Sequence, residues 1–119
     1  MRTWCFELPF PPSLNGMWRS YAGRTILSKR GREYRKQVIE KLTTTLIGHE
    51  TITSRVKVRL DLYPPCKRKR DIDNYPKSVF DALTHAGVWL DDEQVDEMRV
   101  VRKSKVKGGK IVIMIAEVI

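Results

Sequence analysis

Val56, Val58, Leu60 and Leu62 alternate with Arg55, Lys57, Arg59 and Asp61. A period of two over seven or eight residues fits an extended strand that buries one face, and fits a helix poorly. Pro64-Pro65 ends it, because proline cannot donate to a ladder. A second alternation sets Trp4, Phe6 and Leu8 against Thr3, Cys5 and Glu7, which predicts a strand over residues 3–8, closed by Pro9, Pro11 and Pro12. Residues 111–115, Ile-Val-Ile-Met-Ile, are apolar on both faces and read as a central strand. The turn signal Gly108-Gly109 predicts that residues 97–106 and 110–118 form a hairpin. Ser13-Leu14-Asn15-Gly16 reads as a turn, and residues 17–27 as a short hairpin around Ala22-Gly23.

Two segments have a helical period instead. Tyr34, Val38, Leu42 and Leu46 recur every four residues, with Ile39 widening the stripe. Ser28 suits the N-cap and Gly48 the stop, giving about five turns. Lys29, Arg30, Arg32, Arg35 and Lys36 crowd the first turns against the single acid Glu33, an arrangement that opposes the helix macrodipole and calls for a purpose other than helix stability. The second helix is predicted from Pro76 to about Ala86, capped by Asn74 or Tyr75, with Val79, Phe80, Leu83 and Ala86 inward and Gly87 as its stop. The expected architecture is α+β: one domain, residues 1–119, with a mixed sheet of about five strands and two main helices.

At 119 residues the chain is of single-domain size. Lys plus Arg exceed Asp plus Glu by 23 to 14, a net charge of +9 that asks for a polyanion, either nucleic acid or an anionic membrane. No apolar run approaches the roughly 18 residues of a membrane span, and the alternating start has no signal-peptide character. Nucleic acid is the expected partner, and the cytoplasm the expected location. Cys5, Cys66, His49 and His85 have no zinc-ligand spacing, so two reduced thiols are expected rather than a zinc site.

The chemistry concentrates at residues 67–73, where Lys67, Arg68, Lys69 and Arg70 run straight into Asp71-Ile72-Asp73. The cations suit phosphate oxygens. In an extended chain the two carboxylates project to one face, and hard oxygen donors suit Mg²⁺ or Mn²⁺. A third carboxylate is expected from the Asp91-Asp92 pair, returned to the neighbourhood by the intervening helix. Three carboxylates at one point repel one another, and a divalent cation relieves that repulsion. The competing reading makes Asp73 a helix cap and the run Asp91, Asp92, Glu93, Asp96 and Glu97 a solvated face. Lys77 either neutralises charge developing in phosphodiester hydrolysis or pairs on the helix surface with Asp73 or Asp81. Arg99, Arg102, Lys103, Lys105, Lys107 and Lys110 offer a phosphate track. Trp18 and Tyr21 are candidates for stacking on distorted DNA, and structural roles are the alternative.

Taken together, Arg70-Asp71-Ile72-Asp73-Asn74, Lys77, Phe80-Asp81-Ala82-Leu83, Gly87-Val88-Trp89-Leu90-Asp91-Asp92 and Gln94-Val95 closely resemble the RusA family of Holliday junction resolvases. Leu8-Pro9-Phe10-Pro11-Pro12-Ser13, Asn15, Gly23-Arg24-Thr25 and Lys107-Gly108-Gly109 are similar too, so the resemblance runs almost end to end. It implies a small homodimeric, Mg²⁺-dependent endonuclease, bacterial or prophage-encoded, that nicks opposing strands of four-way junctions in recombination and repair. It also implies metal-binding carboxylates at Asp71, Asp73 and Asp92, a catalytic lysine at Lys77 and a DNA-contacting arginine at Arg70. A non-catalytic binder of branched nucleic acid, and a nuclease with flaps, mismatches or RNA as substrate, are the competing functions.

Overall fold

The computed structural model describes residues 1–45 and 49–118, so Leu46 and the expected stop Gly48 lie outside the described residues. In chain order the elements are strand β1 (Thr3–Leu8), the short helix α1 (Leu14–Met17), strands β2 (Trp18–Tyr21) and β3 (Arg24–Leu27), and helix α2 (Lys29–Thr45). Strand β4 (Val56–Tyr63), a 3₁₀ turn at Ile72–Asn74 and helix α3 (Pro76–His85) follow. A second 3₁₀ turn at Asp92–Gln94 leads into β5 (Val95–Arg102), and β6 (Lys110–Glu117) ends the fold.

The main sheet has four strands in the order β1-β6-β4-β5, and β2-β3 forms a separate two-stranded hairpin. β6 is antiparallel to both β1 and β4, whereas β4 and β5 run parallel, which makes the sheet mixed. Alternation sets the register: Phe6 and Leu60 both lie opposite Ile113. Ile111, Ile113 and Ile115 are buried with Val56, Val58, Leu60 and Leu62 beneath the helices, each such side chain stabilising by roughly 1.5–3 kcal/mol. On the opposite face Val112, Met114 and Ala116 stay half-exposed. Asp61 departs from the expected solvent exposure: it is buried, and Arg59 Nε donates to it at 2.9 Å.

The expected hairpin of residues 97–106 with 110–118 does not form. β5 pairs with β4, not β6, and residues 103–109 carry the chain past the end of β4. In that passage Lys103 N–H donates to Leu62 O at 2.8 Å and Val106 N–H to Pro64 O at 2.9 Å. Gly108 and Gly109 do turn the chain, at φ of 80° and 69°, but within this connection. Gly109 is fixed by contact as well, since a Cβ there would meet Phe10 Cβ at 2.9 Å.

The helices follow their stripes with two departures. Tyr34, Val38 and Leu42 are buried, but Ile39 is exposed, one residue off the packed face. The expected turn at residues 13–16 closes into α1, whose N-cap Ser13 accepts from Gly16 N–H at 3.2 Å. Ser28 caps α2, its Oγ accepting from Gly31 N–H at 3.0 Å. Two of the cations crowding that helix start have structural work. Arg35 donates both Nε and Nη2 to Asp81 of α3, at 2.9 and 3.0 Å, and Arg32 bonds Leu27 O at 3.1 Å.

Glu117 ends the interior strand β6, with its carboxylate accepting from Arg2 Nε at 2.9 Å and Ser54 Oγ at 2.9 Å. Those partners hold its pKa down at about 2, the Arg2 hydrogen bond contributing most. A carboxylate depressed in the folded state stabilises above its unfolded pKa and loses that contribution as pH falls through the folded value. Glu117→Gln should therefore melt below the parent chain at neutral pH, with the gap closing between about pH 4.5 and 2. Thermal melts across that range measure it, and a gap independent of pH would contradict the assignment.

Candidate active site

The connection joining the parallel strands β4 and β5 contains both acid clusters, with α3 between them. Asp71 sits at the head of the first 3₁₀ turn, where its backbone oxygen accepts from Asn74 N–H at 3.2 Å while its side chain caps nothing. The side chains of Asp71 and Asp73 are exposed and have no ion-pair partner among the described residues. Asp73 does not cap α3. Tyr75 holds that position, without a side-chain bond, and Pro76 opens the helix. Pro76, Ser78, Val79, Phe80, Ala82 and Leu83 are buried, which seats the helix firmly and leaves Lys77 outward on its first turn.

Lys77 pairs with neither Asp73 nor Asp81. Its Nζ donates to Asp92 Oδ2 at 3.1 Å. The acids beyond α3 are thereby sorted by partner. Asp91 Oδ1 accepts from Glu93 N–H at 3.0 Å, a bond that holds its carboxyl below the usual carboxylate range, with smaller help from Asp92 and Lys77. Glu93 and Asp96 are both taken by Arg55, at 2.8 and 2.6 Å. Asp92 is the member of the run that turns toward α3.

Among the described residues no three carboxylate, histidine or cysteine side chains stand close enough to enclose a metal ion. The juxtaposition observed is Asp92 with Lys77, with Asp73 four residues before that lysine. The donor chemistry nonetheless fits a hard divalent cation, because all three candidates are carboxylates and two of them are unpaired.

Comparison with known proteins decides the family. Residues 9–116 match the family model described as Endodeoxyribonuclease RusA, a span that holds Asp71, Asp73, Lys77 and Asp92. The chain belongs to the RusA family. It is 41% identical over 117 residues to the crossover junction endodeoxyribonuclease RusA of Shigella sonnei strain Ss046, covering 98% of this chain and 97% of that one. The proteins of the same name from Escherichia coli K12 and Enterobacteria phage 82 match with the same identity and coverage.

Ahead of these acids the basic segment divides in two. Lys67, Arg68 and Lys69 are exposed, whereas Arg70 folds back. Its Nη1 donates to Cys66 O at 2.9 Å and Arg68 O at 3.2 Å, its Nη2 reaches Cys66 Sγ at 3.3 Å, and its guanidinium lies 5.7 Å over the Phe10 ring. Arg102 Nη2 in turn donates to Arg70 O at 2.8 Å. Arg70 thus braces the loop that presents Asp71. The expected track along the last strands also changes. Lys110 is paired with Glu7 at 2.7 Å, while Arg102, Lys103 and Lys105 gather beside the 66–70 loop. Trp18 packs against the core, but Tyr21 remains exposed on the β2-β3 hairpin with Arg19 stacked at 5.7 Å.

Gln94 is the residue that sequence reasoning passed over. It is buried, and its Nε2 donates to Ile52 O at 3.0 Å and Ser54 O at 2.9 Å. Its Oε1 accepts from Leu90 N–H at 2.9 Å and Asp91 N–H at 3.0 Å. One side chain therefore pins the Asp91-Asp92 turn to the segment leading into β4. Beside it, Ile52 and Trp89 form a parallel bridge, and Trp89 Nε1 donates to Thr84 Oγ1 at 2.7 Å. Asp91-x-x-Gln94 has the spacing of a capping box, which the pair does form, and Gln94-Val95 belongs to the family resemblance, but neither signal shows that the amide also reaches Ile52 and Ser54.

Proposed function

We propose that the chain resolves four-way DNA junctions by Mg²⁺-dependent phosphodiester hydrolysis, cutting two opposing strands as a homodimer in the cytoplasm of a bacterial host. The observation that carries the reading is the partner-sorting of the acids. Asp71 and Asp73 have no ion-pair partner among the described residues next to a cationic run, and Asp92, with Asp91 beside it, accepts from Lys77 on the first turn of α3. Leaving Asp71 and Asp73 open next to Lys67, Arg68 and Lys69 weakens DNA binding unless a divalent ion joins them.

Asp71, Asp73 and Asp92 would hold that ion, with Mn²⁺ able to substitute. When bound it supplies Lewis-acid stabilisation and a water of lowered pKa. Lys77, already against Asp92, is placed to offset negative charge on the attacked phosphate. Lys67, Arg68 and Lys69 grip flanking phosphates, and Arg70 holds their loop in register with Asp71. Two-fold symmetry in the protein matches that of a junction, so a dimer brings one site to each scissile phosphate.

The test is a purified synthetic junction incubated with the chain and Mg²⁺, with flap, linear duplex and RNA substrates alongside. Symmetric paired nicks on the junction, absent in chelator, are expected, with a dimeric mass by light scattering. Tight junction binding without cleavage under Mg²⁺ or Mn²⁺ would leave a non-catalytic junction-binding protein instead.

A further inference from the structure

A cavity of about 370 Å³ opens between the 64–70 loop and residues 102–105. Its floor is apolar, formed by Phe10, Leu62, Ile72 and Tyr75, and the Phe10 and Tyr75 rings meet at 5.1 Å. Its mouth is cationic, with Lys67, Arg68, Arg70, Arg102, Lys103 and Lys105 around it and no acid in the lining. None of those six is ion-paired with a carboxylate among the described residues. A floor that favours a flat apolar face, inside a rim that favours anions, matches one ligand chemistry: an aromatic base carrying a phosphate. The volume falls in the usual range of about 300–1,000 Å³ for small-ligand pockets.

The position sharpens the match. Arg70 and Ile72 line the cavity, and Asp71 lies between them in the chain. We infer that this cavity takes a single unstacked nucleobase of the bound DNA, next to the phosphate that Asp71 addresses, with the rim holding that nucleotide's own phosphate. This rests on the junction-cutting reading for its setting. In a paired duplex a base must first leave the stack, at a cost of about a few kcal/mol. At a junction, where stacking is already interrupted, extrusion costs less. The cavity would then contribute to selecting the place of cutting, through which base seats best.

The pocket can be tested without DNA cleavage and without a divalent ion. The four 2′-deoxynucleoside 5′-monophosphates, and inorganic phosphate as the base-free probe, are titrated into methyl-labelled protein. The Leu62 and Ile72 methyl resonances and the Lys103–Lys105 amides are followed by NMR. Ser104 is exposed at the edge of the cavity, so Ser104→Trp should fill the space without disturbing the core, and Ser104→Ala serves as its control. At least one nucleotide is expected to move the floor methyls and to bind on the order of 10-fold tighter than phosphate, as stacking of one base would give. Ser104→Trp should remove that difference, and Ser104→Ala should keep it. Equal binding of phosphate and nucleotides, unmoved methyls, or undiminished nucleotide binding in Ser104→Trp would each overturn the inference. A chain that cuts junctions yet fails this titration loses the pocket alone. One that passes it but cuts no DNA keeps the pocket and loses the nuclease reading.

Discussion

Asp71→Asn should abolish junction cleavage, by about 10³-fold or more, while leaving junction binding intact or tighter. The rate loss follows from replacing a charged oxygen donor by a neutral amide at the proposed metal site, where several kcal/mol of charge stabilisation is at stake. Each 1.36 kcal/mol is worth about tenfold in rate. The binding gain follows from removing a negative charge next to Lys67, Arg68 and Lys69, where phosphates are expected to lie. The substitution is clean because the Asp71 side chain is exposed and caps nothing, so its removal should leave the melting temperature close to that of the parent. Gel-shift titration in chelator, paired with single-turnover cleavage in Mg²⁺, measures both halves. Cleavage at the parental rate would remove Asp71 from the site. Asp91 provides the internal contrast: its carboxylate is occupied by Glu93 N–H, so a cap-preserving change to Ser or Asn there should spare cutting.

The parts of this fold that sequence made legible are those in which burial is one-sided and local. β1 and β4 could be drawn from their alternation, and α2 and α3 from their stripes, because each element presents a single face to the core. Pairing partners were less accessible. Gly108-Gly109 carries a strong turn signal, and both glycines do have positive φ, yet the strands they separate are not neighbours. β5 lies on the far side of β4, a placement fixed by contacts such as Leu60 opposite Val100 that no local pattern encodes. The acids behave similarly. Asp-x-Asp and Asp-Asp could be picked out by residue type, but which member of the pair faces Lys77 depends on Asp91 being drawn off as a cap. The tetrabasic run looked uniform, and only its surroundings separate three exposed cations from Arg70, which is bound to the carbonyls of its own loop.

Gln94→Leu should lower the melting temperature further than any surface change and should misplace Asp92. Leucine has similar size but no polar atoms. Two N–H groups, of Leu90 and Asp91, and two carbonyls, of Ile52 and Ser54, would lose their partner together. At about 1–3 kcal/mol for each unsatisfied buried group, tempered by partial access to water, the loss is on the order of 3–5 kcal/mol. For a domain of this size about 4 °C accompanies each kcal/mol, so the drop is ~12–20 °C. Gln94→Glu separates loss of packing from loss of hydrogen bonding. Its carboxylate still accepts from the two N–H groups but sets an oxygen against two carbonyl oxygens, which favours the protonated form in the folded state. A carboxyl whose folded pKa is raised stabilises at low pH and loses that contribution as pH rises through the folded value. Gln94→Glu should therefore approach the parent near pH 4 and fall away toward pH 8, whereas Gln94→Leu should be destabilised alike at both. Melts of the three proteins at the two pH values decide it. A Glu variant with the same deficit at both would show that these four bonds do not hold the Asp91-Asp92 turn in place.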